Sequence, residues 1–307
     1  MKKYIIERIL WSIPVMMGVI VIVYTITYYT PGRPAVSAIK ASAVGLNRPY
    51  IVQLGNYLWN VFTRLDLGKS YLTNIPITAE LAERIPITFL LGTMSILMMM
   101  IVGVPCGMLS ALKQYSVLDV SLTSFSLIMS AIPGYVLALL SAVFFGVVLR
   151  WLPPSGLESW KSWILPVICS AVGSIAVFIR MTRTAMLEVI RQDYIRTARS
   201  KGLKDSAVIR RHALKNCMIT LATVIGLYSA AVFSGSIIVE TIFNIRGMGL
   251  YLMDGILARD YPVINGAVLV ISLLVCVVNL IVDIAYAFID PRIKAQFSGP
   301  YRTRDKG

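Results

Sequence analysis

Gly68, Lys69 and Ser70 stand in the order that closes a phosphate-binding loop, where backbone amides cradle a nucleotide's phosphates and the lysine neutralises them. That chemistry needs a further glycine five positions before Gly68, and Thr63 occupies the place. His212 is the only histidine and has no Cys or His partner at ligand spacing, so it reads as a structural or exposed residue. Neither HExxH nor GxSxG occurs, which leaves protease and lipase chemistry without a basis. Cys106, Cys169, Cys217 and Cys276 lie in or beside apolar runs with no CxxC spacing. They read as small buried hydrophobes rather than disulfide partners or metal ligands. The expectation is a chain with no catalytic residues, no metal site and no cofactor of its own.

Two patterns concern packing and charge. Ala222, Gly226, Ala230 and Ser234 recur every four residues, which makes one stripe of small side chains on a helix and allows close backbone approach. The stripe serves either packing within the chain or a subunit interface and pathway wall. Gly103-x-x-x-Gly107 carries the same two readings, and Pro105 between the glycines is expected to kink its helix. Asn279 and Asp283, four apart, fall on one face of the last apolar run. An ionisable residue there is a functional candidate, but Asp283 lies near the end of the run, where a structural ion pair or helix-end bond is the better reading.

The elements that carry these residues follow from composition. The chain has 307 residues, 57% hydrophobic and only 14% charged, with a net charge of +14. Its mean hydropathy is +0.75. A soluble domain needs more charge to cover its surface, so lipid is the solvent for much of this chain. The Lys and Arg residues sit between apolar runs and at the ends, not on one soluble domain, which argues against nucleic acid as a partner. Apolar runs at about 9–29, 87–112, 120–149, 163–180, 218–239 and 263–288 are each of a length to cross a bilayer as helices. The third is long enough to tilt or to break near Pro133-Gly134. The first run is too long for a typical signal-peptide core and is read as an uncleaved span.

Basic residues orient the spans. Lys2, Lys3 and Arg8 precede the first span, ten Lys and Arg residues lie between Arg180 and Lys215, and Arg292, Lys294, Arg302, Arg304 and Lys306 follow the last. About six spans place all three groups, and both termini, in the cytoplasm. Trp151, Trp160 and Trp163 then mark an outer boundary. The organisation expected is a cytoplasmic segment with the first span over 1–30, an extracytoplasmic region over 31–86, and a core over 87–290. A cytoplasmic tail over 291–307 completes it. Within the core, 184–216 is a cytoplasmic loop and 240–262 an outer one. Gly68-Lys69-Ser70 faces outward, away from ATP.

The cytoplasmic loop reads as helix, turn, helix. Gly202 suits a left-handed cap after the first helix, and Asp205 or Ser206 suits the N-cap of the second. The product is a short rigid elbow, fit either to fill a socket in a soluble partner or to lie on anionic lipid.

Arg196-Thr197-Ala198-x-x-x-Gly202 stands where importer permeases of the ATP-binding-cassette class carry Glu-Ala-Ala-x-x-x-Gly. The wider text, Asp193 to Gly202 and Arg211-His-Ala-Leu-Lys-Asn216, resembles the B-type permease subunit of dipeptide/oligopeptide importers. Pro31-Gly32-Arg33-Pro34, Asp66-Leu-Gly-Lys-Ser70, Glu83-Arg-Ile-Pro-Ile-Thr88, Gly235 to Phe243, Arg259-Asp-Tyr-Pro262 and Asp290-Pro-Arg-Ile293 agree with that family. Arg196 departs from the usual Glu and Lys215 from the usual Pro, as in the family's B-type subunits.

The resemblance implies an all-α integral membrane protein with the type I importer permease fold, in a bacterial or archaeal plasma membrane. It implies half of a pathway for di- or oligopeptides, with nickel or a metal chelate as the alternative solute. The partners implied are a second, C-type permease, two ATPase subunits that bind ATP and Mg, and an extracytoplasmic solute-binding protein. Tyr194, Arg196, Thr197, Ala198, Lys201, Gly202 and Leu203 are then the ATPase-docking residues. Glu240, Arg246 and Asp260 are candidates for contact with the binding protein, or for holding the outer platform together. A secondary carrier predicts inverted repeats and mid-membrane charges, and neither stands out in the sequence.

Overall fold

The computed structural model of the chain describes residues 2–30 and 46–289. The Pro31–Pro34 exit of the first span, Asp290-Pro-Arg-Ile293 and the basic tail lie outside the described residues. The elements are α1 (Lys2–Tyr29), α2 (Tyr50–Arg64), α3 (Ile77–Leu112), α4 (Val117–Ala131) and α5 (Gly134–Ser141), which runs on as a π-helical turn (Ala142–Val148). After them come α6 (Ile164–Ile190), α7 (Asp193–Ser200), α8 (Asp205–Val208), α9 (Lys215–Ile242), α10 (Met248–Ala258) and α11 (Tyr261–Ile289). A π-helical stretch, Ile209–Leu214, joins α8 to α9. Among the described residues five helices are long and apolar enough to span a membrane, and the bent pair α4–α5 makes a sixth.

Several boundaries differ from those expected. The second span starts at Ile77, inside the region assigned to the outer loop, because Pro76 takes the N-cap position and Glu80 pairs with Arg84 one turn on. Charge ends the apolar window there, but it does not end the helix. The fourth span continues past 180 to Ile190, since Arg180 and Arg183 find partners on α4. The third breaks where its sequence allowed. Ile132 is extended ahead of Pro133, as a residue before proline is driven to be, and the two halves meet at 96°.

The tightest packing lies between α3 and α6, and it settles the Gly103/Gly107 question in favour of packing within the chain. A Cβ on Gly103 would lie 2.9 Å from Phe178 Cβ, and one on Gly107 would lie 2.6 Å from the Ile179 carbonyl oxygen. Small residues let the two backbones close up, as they do between membrane helices generally. Among the described residues three apolar clusters fill the interior. One surrounds Phe178, Met186, Ile195 and Leu221 at the basic end. A second surrounds Ile77, Phe233, Met248 and Ala267 at the opposite end, here called the platform end. The third joins Leu91, Leu165 and Phe243 beside α5.

Candidate functional site

The elbow at the basic end is built by α7, the Gly202 turn and α8. Ile195 and Ala198 lie on the inner face of α7, in the same cluster as Met186, Val208, Ala213 and Cys217. Tyr194, Arg196, Thr197, Lys201, Gly202 and Leu203 are exposed. Burial of the inner pair therefore sets which residues face outward. Ala198, placed among the docking residues on sequence grounds, is corrected: it is buried and braces the elbow from behind.

Gly202 has φ +75°, the left-handed conformation that a glycine adopts without the Cβ clash of other residues. Its N–H donates to the Arg199 carbonyl at 2.9 Å and stops α7. The expected N-cap is also corrected. Lys204 takes that position, and no side chain caps the helix. Asp205 is instead the first helical residue, its carboxylate 3.0 Å from Arg199 Nε across the turn. Because α8 passes through the π-helical stretch into α9 without a break, the second arm of the elbow is the foot of a long membrane helix.

Beside the elbow lies a polar clamp whose acidic partner was missed in the sequence. Asp119 is buried on α4 and takes Arg183 Nε at 2.7 Å and Nη2 at 2.9 Å. It also accepts from Tyr115 N at 2.9 Å and from the Ser110 hydroxyl. Arg180, one turn earlier on α6, donates to the Ser126 carbonyl at 3.0 Å and to Ser130 Oγ at 2.8 Å. The available signals were the Ser116-x-x-Asp119 capping pattern, in which Ser116 Oγ accepts from Asp119 N, and two arginines three apart on one helix face. On the same end Arg8 of α1 meets Asp283 of α11, Nε to Oδ2 at 2.7 Å, the structural pair expected for Asp283.

The small-residue stripe does not share one environment. Ala222 is buried, and a Cβ on Gly226 would meet Val282 of α11 at 3.4 Å. Ala230 is half-buried and Ser234 is exposed. The stripe thus leaves the interior as it climbs, and the exposed part of α9 passes through Leu227, Ala231, Ser234, Gly235 and Ile238.

At the platform end two carboxylates hold the outer elements. Glu240, at 0% exposure, accepts from Thr88 Oγ1 at 2.8 Å and from the amides of Gly249 at 2.6 Å and Leu250 at 3.2 Å. A carboxylate on the free amides of a helix N-terminus is well matched in charge, so Glu240 anchors α10. Asp260, 2% exposed, accepts from Ser70 Oγ at 2.6 Å and from Tyr71 N at 3.1 Å. The Asp66–Ser70 and Arg259–Pro262 motifs are thereby brought together. Of the two readings of these acids, contact with the binding protein is corrected and holding the platform together is what the structure carries: both side chains are turned inward and engaged. Arg246 is exposed. Gly68-Lys69-Ser70 forms a turn with Gly68 at φ +85° and a bridge from Lys69 to Pro76, a structural corner of the platform.

Residues 103–295 match the family described as "binding-protein-dependent transport system inner membrane component". A putative peptide transport system permease protein of Brucella abortus (strain 2308) is 36% identical, over 96% of this chain and 99% of that one. The dipeptide transport system permease protein DppB of Alkalihalophilus pseudofirmus is also 36% identical, over 96% of this chain and 100% of its own length. Among solved structures, a chain of the MetNI methionine ABC transporter in an inward-facing conformation superposes with a TM-score of 0.60 at 18% identity. That match covers 69% of this chain and 97% of the other, and it speaks to the fold alone.

Proposed function

We propose, from the premise that this chain belongs to the family of binding-protein-dependent transport system inner membrane components, that it forms half of the pathway of an ATP-driven importer of di- or oligopeptides. The chain is a multi-pass membrane permease subunit and is not itself an enzyme. Peptide as the solute rests on relatives named for peptide and dipeptide transport that align over nearly the whole chain.

The observation that carries the reading is the elbow. Its outer residues, Tyr194, Arg196, Lys201 and Leu203, are exposed while Ile195 and Ala198 lock it to the membrane core. A soluble ATPase that grips the exposed face moves α7 as a rigid piece. Because α7 follows α6 directly and leads into α9, the motion passes to two spans at once. Coupling needs a rigid element with two arrangements, and a helix pair braced from behind supplies one. In this reading the basic end is cytoplasmic and both termini lie there. ATP and Mg are bound by two partner ATPases. A second permease of C-type completes the pathway, and a solute-binding protein docks on the platform end. Arg196 in place of the family's usual Glu favours an unequal pair of permeases over two copies of this chain.

Co-purification of the tagged chain in mild detergent tests this, followed by titration of the external partner with peptides and with nickel. The expected result is a second permease, two ATPases and a binding protein that takes peptides. Recovery of a lone, active homodimer overturns the importer reading. Nickel binding without peptide binding replaces the solute with a metal.

A further inference from the structure

We propose that Arg180 lines the solute pathway and takes the carboxylate of a passing peptide on the free edge of its guanidinium. The inference rests on the importer reading above and adds to it a residue that meets the solute.

Depth comes first. α6 has 27 residues, from Ile164 to Ile190. At about 1.5 Å per residue it is about 40 Å long, roughly 10 Å more than a hydrocarbon core of about 30 Å. Arg180 lies ten residues before Ile190, about 15 Å from the basic end along the axis. Even if all the excess length projects at that end, its Cα stays about 5 Å inside the hydrocarbon. The side chain then reaches away from the basic end. Arg183 takes Asp119, near the start of α4, whereas Arg180 donates to the Ser126 carbonyl and to Ser130 Oγ, about 10 and about 16 Å further along that helix. An arginine that serves as an anchor snorkels toward the nearer headgroups. This one points the other way.

The charge is also left open. Both hydrogen bonds use Nη1, and both acceptors are neutral. Among the described residues Arg180 has no carboxylate at ion-pair distance, and its Nε and Nη2 have no hydrogen-bond partner. Neither atom is sealed off from the outside. That edge is the one a carboxylate grips with two parallel bonds.

What faces this edge is not lipid. The exposed positions of α6 are Gly173, Met181, Thr184 and Glu188, and only Met181 is a large apolar residue. α1, by contrast, exposes Ile6, Ile9, Leu10, Ile13, Ile22 and Ile26, a face suited to acyl chains. Arg180 and Thr184 are four apart and share one face of α6. Beyond Ser130 the break between α4 and α5 leaves Pro133, Gly134 and Tyr135 exposed as well. Irregular backbone at membrane depth persists only inside protein or against water, and an intramembrane charge obeys the same rule. The face is therefore wet, or it is covered by a chain that brings its own carboxylate. The transport task favours the wet passage. A peptide carries its carboxylate through the bilayer, where that charge is costly. A fixed cation offsets the cost, and the bonds to Ser126 and Ser130 hold the cation in place. A nickel ion would be repelled at the same point.

The test uses the complete importer in lipid nanodiscs with Thr184→Cys, one turn from Arg180. Modification of the introduced thiol by charged methanethiosulfonates is read by peptide mass spectrometry. The negative reagent is expected to outpace the positive one, and the ratio should fall about tenfold when Arg180→Gln is added, the effect of one charge a few ångströms away in a partly aqueous site. Millimolar dipeptide should slow the reaction, and its C-terminal amide should not. Arg180→Lys in the same background should keep the charge preference but lose most of the protection by dipeptide, because lysine has no fork. An unreactive thiol overturns the proposal, since it places lipid or the second permease over the face. An unchanged reagent ratio in Arg180→Gln, or equal protection by dipeptide and amide, overturns it as well. If the same complex still takes up peptide, the importer reading stands and only the role of Arg180 fails.

Discussion

Arg183 holds Asp119 with two parallel hydrogen bonds, at 2.7 and 2.9 Å, and so ties α6 to α4 just above the elbow. The fork geometry of a guanidinium on a carboxylate gives direction as well as strength. Removing one partner leaves the other charge buried and unmatched. Asp119→Ala is expected to destabilise the chain by about 3 kcal/mol. Arg183→Lys, which keeps the charge but loses the fork, should cost about 1 kcal/mol. Thermal unfolding in detergent measures both. A loss from Arg183→Lys as large as that from Asp119→Ala would show that the charge is not what the clamp depends on.

The Glu240 anchor makes a prediction about close packing. A Cβ on Gly249 would lie 2.8 Å from Glu240 Oε2 and 2.5 Å from Ile237 Cα. Gly249→Ala is therefore expected to cost about 1–3 kcal/mol by overpacking. Glu240→Ala strands two helix-terminal amides and should cost about 2 kcal/mol. Hydrogen exchange over residues 248–258 should rise in both variants, because α10 loses its hold on the bundle. Unchanged protection there would contradict the anchor.

At the elbow the conformation of Gly202 sets the expected order of two variants. Alanine at φ +75° is strained by about 1–2 kcal/mol, and the helix pair survives it. Proline is fixed near φ −65° and cannot make the turn. ATP-driven uptake in proteoliposomes should be reduced by Gly202→Ala and abolished by Gly202→Pro, with both chains inserted in normal yield. Normal uptake by the proline variant would remove the elbow from the coupling path.

The Asp260 bond to Ser70 fastens the outer corner to the last span. Asp260→Ala releases the Ser70 hydroxyl and the Tyr71 amide together. Trypsin should then cut after Lys69 faster than in the unaltered chain, with Ser70→Ala showing a smaller increase. Equal cleavage rates in all three would mean that the corner is held by other contacts.

Much of this molecule was legible from its residues. Long apolar runs announce membrane helices because lipid offers no partners to a backbone. Pro133-Gly134 marked the break in the third span, and Gly202 marked the turn of the elbow. Charged residues inside the long helices misled. Glu80, Glu83, Arg180 and Arg183 end the apolar windows, yet the helices continue through all four, since their charges are met on the protein or at its surface.

By itself the sequence determined the solvent of the chain, the number of crossings and the position of the elbow. Each of these depends on local composition or on one backbone conformation. The tertiary structure alone decided which polar groups are partners. Asp119 with Arg183, Glu240 with the amides of α10 and Asp260 with Ser70 join residues 64, 9 and 190 positions apart at their bonded atoms. Spacing along the chain carries no information about such pairs, because which donor reaches which carboxylate is set by how the helices cross. The same packing turned Glu240 and Asp260 inward and left Tyr194 and Leu203 facing out.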